Sequence, residues 1–221
     1  MSDKKRTLIA CAMMQDELNR LIEELHPDIS MIWMDRGFHN TPEKLKKELQ
    51  SQIDSLQDQD EILLSFGLCG NGTDGICSQN TKLILPKFDD CVNMMLCTAK
   101  RTSRGLTRPD SIYLTSGWIQ DSESILQQYE HLKEKYDEET CDVIFEMMYE
   151  HYTAISVIDT GCYDLDPVLK YAKQAADLLD LDVDTVPGSN QILRQLLTGE
   201  WNDNFIVLSP GETLSFENFE F

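Results

Sequence analysis

Short apolar runs that suit buried strands alternate along this chain with segments whose apolar residues recur at helical spacing, and the connections between them are brief. That alternation constrains the fold more than any other feature, because parallel strands must be joined by crossovers long enough to hold a helix. The run 7–13 reads as a first strand and 15–25 as a helix, with Leu18, Leu21, Ile22 and Leu25 on one face. Residues 29–34 form a second strand signal. Thr41 and Pro42 then supply an N-cap and a first-turn proline for a helix running to about Leu56. A third strand at 61–66 ends in the turn Gly67-Leu68-Cys69-Gly70-Asn71-Gly72, and a fourth at 82–85 is closed by Pro86.

Beyond Asp90 the pattern loosens. A helix over 91–99 and a loop over 105–110 precede a strand at 111–115 that ends at Ser116-Gly117-Trp118, and a long helical region covers 123–152. Strands at 154–158 and 183–186 alternate with helices at 167–179 and 191–197, and 205–208 is a last strand. The expected fold is α/β and Rossmann-like: a mostly parallel sheet with helices on both faces and right-handed crossovers. The 221 residues suffice for a single α/β domain with its own core, with two closely joined lobes, 1–100 and 101–221, as the other arrangement.

Charge narrows the partners. Nineteen Lys and Arg against 39 Asp and Glu leave a formal net charge of −20, a field that repels phosphate backbones and anionic headgroups. No nucleic acid and no membrane are expected as partners, and a small-molecule substrate is. No window reaches the roughly 18 apolar residues of a membrane span, and the basic start MSDKKRTLIACAMM is too brief for an export signal, so a cytoplasmic protein is expected. The sequence carries no signal of oligomeric state. Seven cysteines, an odd number without the density of a small secreted scaffold, are expected to be free thiols.

Ligands of open parallel sheets bind outside the carboxyl ends of the strands. Cys11 lies at the end of the first strand, His39 follows the second, Cys69 the third and Cys91 the fourth. Three thiolates and an imidazole suit a tetrahedral zinc ion, with sulfur at about 2.3 Å; iron or a corrin cobalt is the alternative. Against this, a free cysteine commonly packs as a small hydrophobe, the reading preferred for Cys97 and Cys141. Asp90 and Asp159 are acid/base candidates, although each could instead cap a helix. Gly70 with Asn71, and Gly188 with Ser189, mark turns after strands that could offer backbone donors to a cofactor; neither matches a nucleotide fingerprint. Trp118 could wall a pocket.

The stretches Ile9-Ala10-Cys11, Gly67-Leu68-Cys69-Gly70-Asn71, Leu85-Pro86-Lys87-Phe88-Asp89-Asp90-Cys91, Tyr113-Leu114-Thr115-Ser116-Gly117-Trp118 and Asp159-Thr160-Gly161 resemble domain-of-unknown-function family 1638 over most of the chain. The resemblance implies a setting, anaerobic one-carbon metabolism with corrinoid-dependent methyl transfer and a corrinoid protein as partner, without an established reaction. It supports treating Cys11, Cys69 and Cys91 as one constellation. The leading expectation is a metal-binding protein of anaerobic one-carbon metabolism, acting as a methyltransferase or a corrinoid-associated accessory enzyme. Two alternatives stand beside it: a metal-independent, racemase-like enzyme using Cys69 or Cys11 with Cys162, and a non-catalytic carrier of metal or corrinoid.

Overall fold

The first sheet is built from the apolar runs whose alternate residues face opposite layers. In the computed structural model, which describes residues 4–97 and 107–219, strands β1 (Arg6–Cys11), β2 (Ser30–Met34), β3 (Glu61–Leu64) and β4 (Lys82–Pro86) run parallel in the order β2-β1-β3-β4. Ile9 is paired with Ile32 on one side and Leu64 on the other. Leu8, Ala10, Leu63 and Ile84 enter one core layer, whereas Ile9, Ile62, Leu64, Leu83 and Leu85 enter the other. Both faces are therefore covered, which is why these strands read as continuous apolar runs.

Helix α1 (Gln15–Leu25) buries Leu18 and Leu21 in the first layer, and α2 (Pro42–Ser55) buries Leu45, Leu49 and Ile53 in the second. Thr41 stands at the N-cap of α2 without a side-chain capping bond, so the first-turn proline is the part of that start signal in use. After β4 comes α3 (Cys91–Leu96). The Ala99 end of the helix expected there, and the beginning of the loop expected at 105–110, lie outside the described residues.

A second parallel sheet, β5-β6-β7, comprises β5 (Ser111–Leu114), β6 (Ala154–Asp159) and β7 (Asp182–Pro187). The short α4 (Ser116–Ile119) follows β5. The helical stretch expected over 123–152 is two helices, α5 (Ile125–Lys133) and α6 (Glu138–Tyr149), a correction with a local cause. Asp137 accepts a hydrogen bond from Thr140 N at 2.9 Å and so starts a new helix where an uninterrupted one was expected. Helix α7 (Leu165–Leu179) covers this sheet with Val168, Ala172, Ala175 and Ala176.

The chain then returns. Helix α8 (Gln191–Thr198) buries Ile192, Leu193, Leu196 and Leu197 beside α1, and β8 (Phe205–Leu208) joins the first sheet next to β4. β8 is antiparallel to β4, with Leu83 opposite Leu208, and forms the antiparallel edge of the otherwise parallel sheet. Among the described residues no helix is long and apolar enough to cross a membrane.

Candidate functional site

Four loops leave the carboxyl edge of the first sheet, and hydrogen bonds tie them to one another. Cys11 N donates to Ser65 Oγ at 2.9 Å, joining the end of β1 to the segment after β3. Leu68 N donates to Phe88 O at 2.9 Å and Cys69 N to Asp89 O at 2.8 Å, joining the loop after β3 to the loop after β4. Gly67 permits that approach: a Cβ there would lie 2.4 Å from the Phe88 carbonyl oxygen, inside any real contact. Cys69, Gly70 and Asn71 follow in left-handed backbone, φ 49°, 62° and 69°, and Thr73 Oγ1 closes the turn on Gly67 O at 2.9 Å. A left-handed cysteine costs on the order of 1–2 kcal/mol, strain that the surrounding bonds hold in place.

Cys91 opens α3. Asp90 caps that helix, accepting from Asn93 N at 2.8 Å and from Asn93 Nδ2 at 3.0 Å, so of its two sequence-level readings the capping one is in use. His39 lies in the turn Arg36–Asn40 after β2, itself started by Asp35, whose Oδ1 accepts from Gly37 N. His39 Nδ1 is 2.6 Å from the Arg36 carbonyl oxygen. A carbonyl can only accept, so Nδ1 carries the proton and, in the neutral ring, Nε2 keeps its lone pair. The ring also meets Trp118 edge-on, centroids 4.7 Å apart.

Cys11, His39, Cys69 and Cys91 line one small cavity of about 30 Å³, together with Met13, Asp35, Phe38, Leu45, Ser65 and Phe66. Cys91 packs at the margin of one core layer and Cys69 at the margin of the other, while Cys11 touches both, so the cavity straddles the sheet edge. The space suits an ion or a water molecule, not an organic ring system. Among the described residues, however, no three His, Cys, Asp or Glu side chains are gathered so that they could hold a metal ion as they stand.

Burial dominates the chemistry of the three thiols. It pushes Cys11 up to about 11, offset in part by a backbone hydrogen bond at Met13 and by the Arg36 charge. Cys69 rises to about 12, first by burial and then by repulsion from Cys11. Cys91 is held well above its ordinary value by burial, then by Cys11, Asp90 and Cys69. At neutral pH all three are protonated, and poor nucleophiles for that reason.

The other sequence candidates are placed elsewhere. Gly70 and Asn71 form an exposed turn. The Gly188 and Ser189 amides, expected as free donors, are already bonded, to Asp159 O at 2.8 Å and Met95 O at 2.7 Å. Asp159 is exposed and accepts from Gly161 N; the cap of the following helix is Asp164. Cys162 does not line the cavity; Asn190 Nδ2 donates to its sulfur at 3.4 Å. Cys97 and Cys141 are buried in separate core clusters, and all seven cysteines are free. Sequence reading missed Ser65, although a lone hydroxyl within the apolar run 61–66 was a usable signal. It also missed Met13, which looks like any core residue, and Arg36, whose carbonyl orients the imidazole.

The family described as protein of unknown function DUF1638 matches residues 33–197. No curated protein and no solved structure matches the chain.

Proposed function

The chain belongs to the DUF1638 family, and on that premise we propose that Cys11, Cys69 and Cys91, with His39, bind a soft metal ion, zinc by default. The observation that carries the reading is that four residues from four separate loops line one cavity of about 30 Å³. The imidazole adds support, because a ligating histidine usually donates its second ring nitrogen to a carbonyl or carboxylate, as His39 does to Arg36 O. Binding requires the side-chain torsions of the cysteines and His39 to turn their donor atoms inward. Each thiol that ligates gives up its proton, and the cation supplies the charge that makes a buried thiolate tolerable.

Within this reading the protein serves anaerobic one-carbon chemistry on a small-molecule substrate, as a methyltransferase or as an accessory to a corrinoid protein. A corrin ring is far larger than the cavity, so any corrinoid would arrive as the cofactor of a partner. Iron is the alternative soft-ligand metal, and carriage without catalysis the alternative role. The two-cysteine reading is less favoured, since Cys162 is absent from the cavity lining and the remaining thiols are neutral.

Metal analysis of protein purified anaerobically is the test, followed by titration of chelator-treated protein with zinc. We expect one equivalent in the wild type, with retention lost in Cys69→Ser and Cys91→Ser and weakened about 10–100-fold in His39→Ala. Fully reduced wild type that neither contains nor acquires a stoichiometric metal would overturn the reading.

A further inference from the structure

Beside the thiol cavity lies a larger cleft of about 450 Å³ that the reading above leaves without a role. The two adjoin at two points. Asp90, in the wall of the cleft, precedes Cys91, and Trp118, also in the wall, packs on His39. From its lining we propose that this cleft binds a small alkylated ammonium cation bearing an oxygen atom.

Trp118, Tyr113, Tyr149 and Tyr152 contribute four aromatic rings to the wall, and Asp90 and Glu123 contribute two carboxylates. Tyr149 and Tyr152 stand with centroids 6.0 Å apart and planes at 48°, so they form adjacent walls. Their polar ends are partly committed: Tyr149 Oη donates to Gln128 Oε1 at 2.9 Å, and Tyr113 Oη accepts from Arg108 N at 2.9 Å. An ammonium over a ring face, within about 6 Å of the centroid, is attracted by the quadrupole. Methyl groups on the nitrogen suit an aromatic wall better than a strongly hydrated ammonium, because less water must be stripped away.

The charges agree. Arg108 also lines the cleft, but its Nη2 is directed to Ser156 Oγ and Asp184 Oδ2, both at 3.3 Å. A net charge of −20 raises the local concentration of cations over that of anions. Two polar atoms of lining residues, Trp118 Nε1 and Ser124 Oγ, are buried without a hydrogen-bond partner among the described residues. Rotation of Ser124 toward an oxygen on the ligand would give its hydroxyl a partner, which is the reason for including that oxygen in the ligand class.

The inference rests on the metal reading only for the significance of the neighbouring thiols; binding of the cation does not require them. The test is calorimetric titration of the full chain with choline, with its neutral isostere 3,3-dimethylbutan-1-ol, and with the anion 3,3-dimethylbutyrate. Choline is expected to bind saturably at one site, and each of the other two at least tenfold more weakly. Tyr152→Leu and Trp118→Leu, checked for folding by circular dichroism, are expected to weaken choline about tenfold each, and Trp118→Phe less. Choline binding is expected to be unchanged in metal-free wild type and in Cys69→Ser, which separates failure of this inference from failure of the metal site. Absence of saturable choline binding, equal binding of the neutral isostere, or insensitivity to both Tyr152→Leu and Trp118→Leu would overturn it.

Discussion

Gly117 is the position at which a single methyl group should do the most damage. It is the second residue of α4, and its carbonyl accepts from Arg36 Nη1 at 3.2 Å. A Cβ built there lies 2.0 Å from Met13 O, 2.8 Å from Met13 C and 3.0 Å from Met13 Cα. All three are backbone atoms of a turn that is buried at Met13, so no rotamer change can make room. Ordinary contact begins near 3.4 Å, and the two segments must therefore part by about 1.4 Å. Forced overpacking of this kind costs about 1–3 kcal/mol, and in a chain of this size each kcal/mol lowers Tm by about 2–4 °C. Gly117→Ala should thus melt about 2–12 °C below wild type and shift the fluorescence of Trp118, which α4 holds against His39. Gly161→Ala is the control: φ there is 68° with nothing among the described residues within 4 Å of the added carbon, so only left-handed strain of about 1 kcal/mol is expected. Thermal unfolding by circular dichroism measures both. If Gly117→Ala melts within about 1 °C of wild type, or costs no more than Gly161→Ala, the close approach of α4 to the β1 turn is wrong.

Two further predictions concern buried polar groups. Burial holds the Glu17 carboxyl above its ordinary 4.5, only partly offset by hydrogen bonds that include Thr160 Oγ1 to Oε1 at 2.8 Å. Between the unfolded and folded pKa values the native state binds more protons, so this contribution is complete below about pH 4.5 and is lost as pH rises through the folded value. Glu17→Gln keeps the acceptor and removes the titration, so its urea stability relative to wild type should rise between about pH 4 and about pH 8; parallel profiles would contradict the assignment. Ser65→Ala removes the acceptor of Cys11 N and leaves that donor unpaired, which should cost about 1–3 kcal/mol in urea unfolding. A loss under about 0.3 kcal/mol would show that the donor finds another partner.

The strand and helix order was legible because periodicity is a local property. The runs at 82–85 and 205–208 are found within a residue or so of β4 and β8, since a buried strand must be apolar wherever its partners lie. Pairing is not local. Nothing in Phe205–Leu208 announces that it lies antiparallel beside β4, or that strands from 111 to 187 form a sheet of their own, because side-chain alternation is the same in either direction. The long helix expected over 123–152 shows the same limit at short range: Asp137 could have been a surface carboxylate until its side chain was found on Thr140 N.

The candidate site divides along the same line. Local patterning put Cys11, His39, Cys69 and Cys91 at or just beyond the ends of successive strands, and a parallel arrangement sends such positions to a common edge. That they line one cavity, that Gly67 lets two loops bond across it, and that Arg36 O fixes the imidazole depend on how distant segments pack. The raised thiol pKa values depend on it too, because desolvation is a collective result of everything packed around a sulfur atom. Asp159, Gly188 and Ser189 also stand at or just past strand ends, yet their groups are spent on neighbouring backbone or left in solvent. A sequence determines which residues stand at the ends of strands; which of those ends share a buried space depends on contacts between segments far apart in the chain.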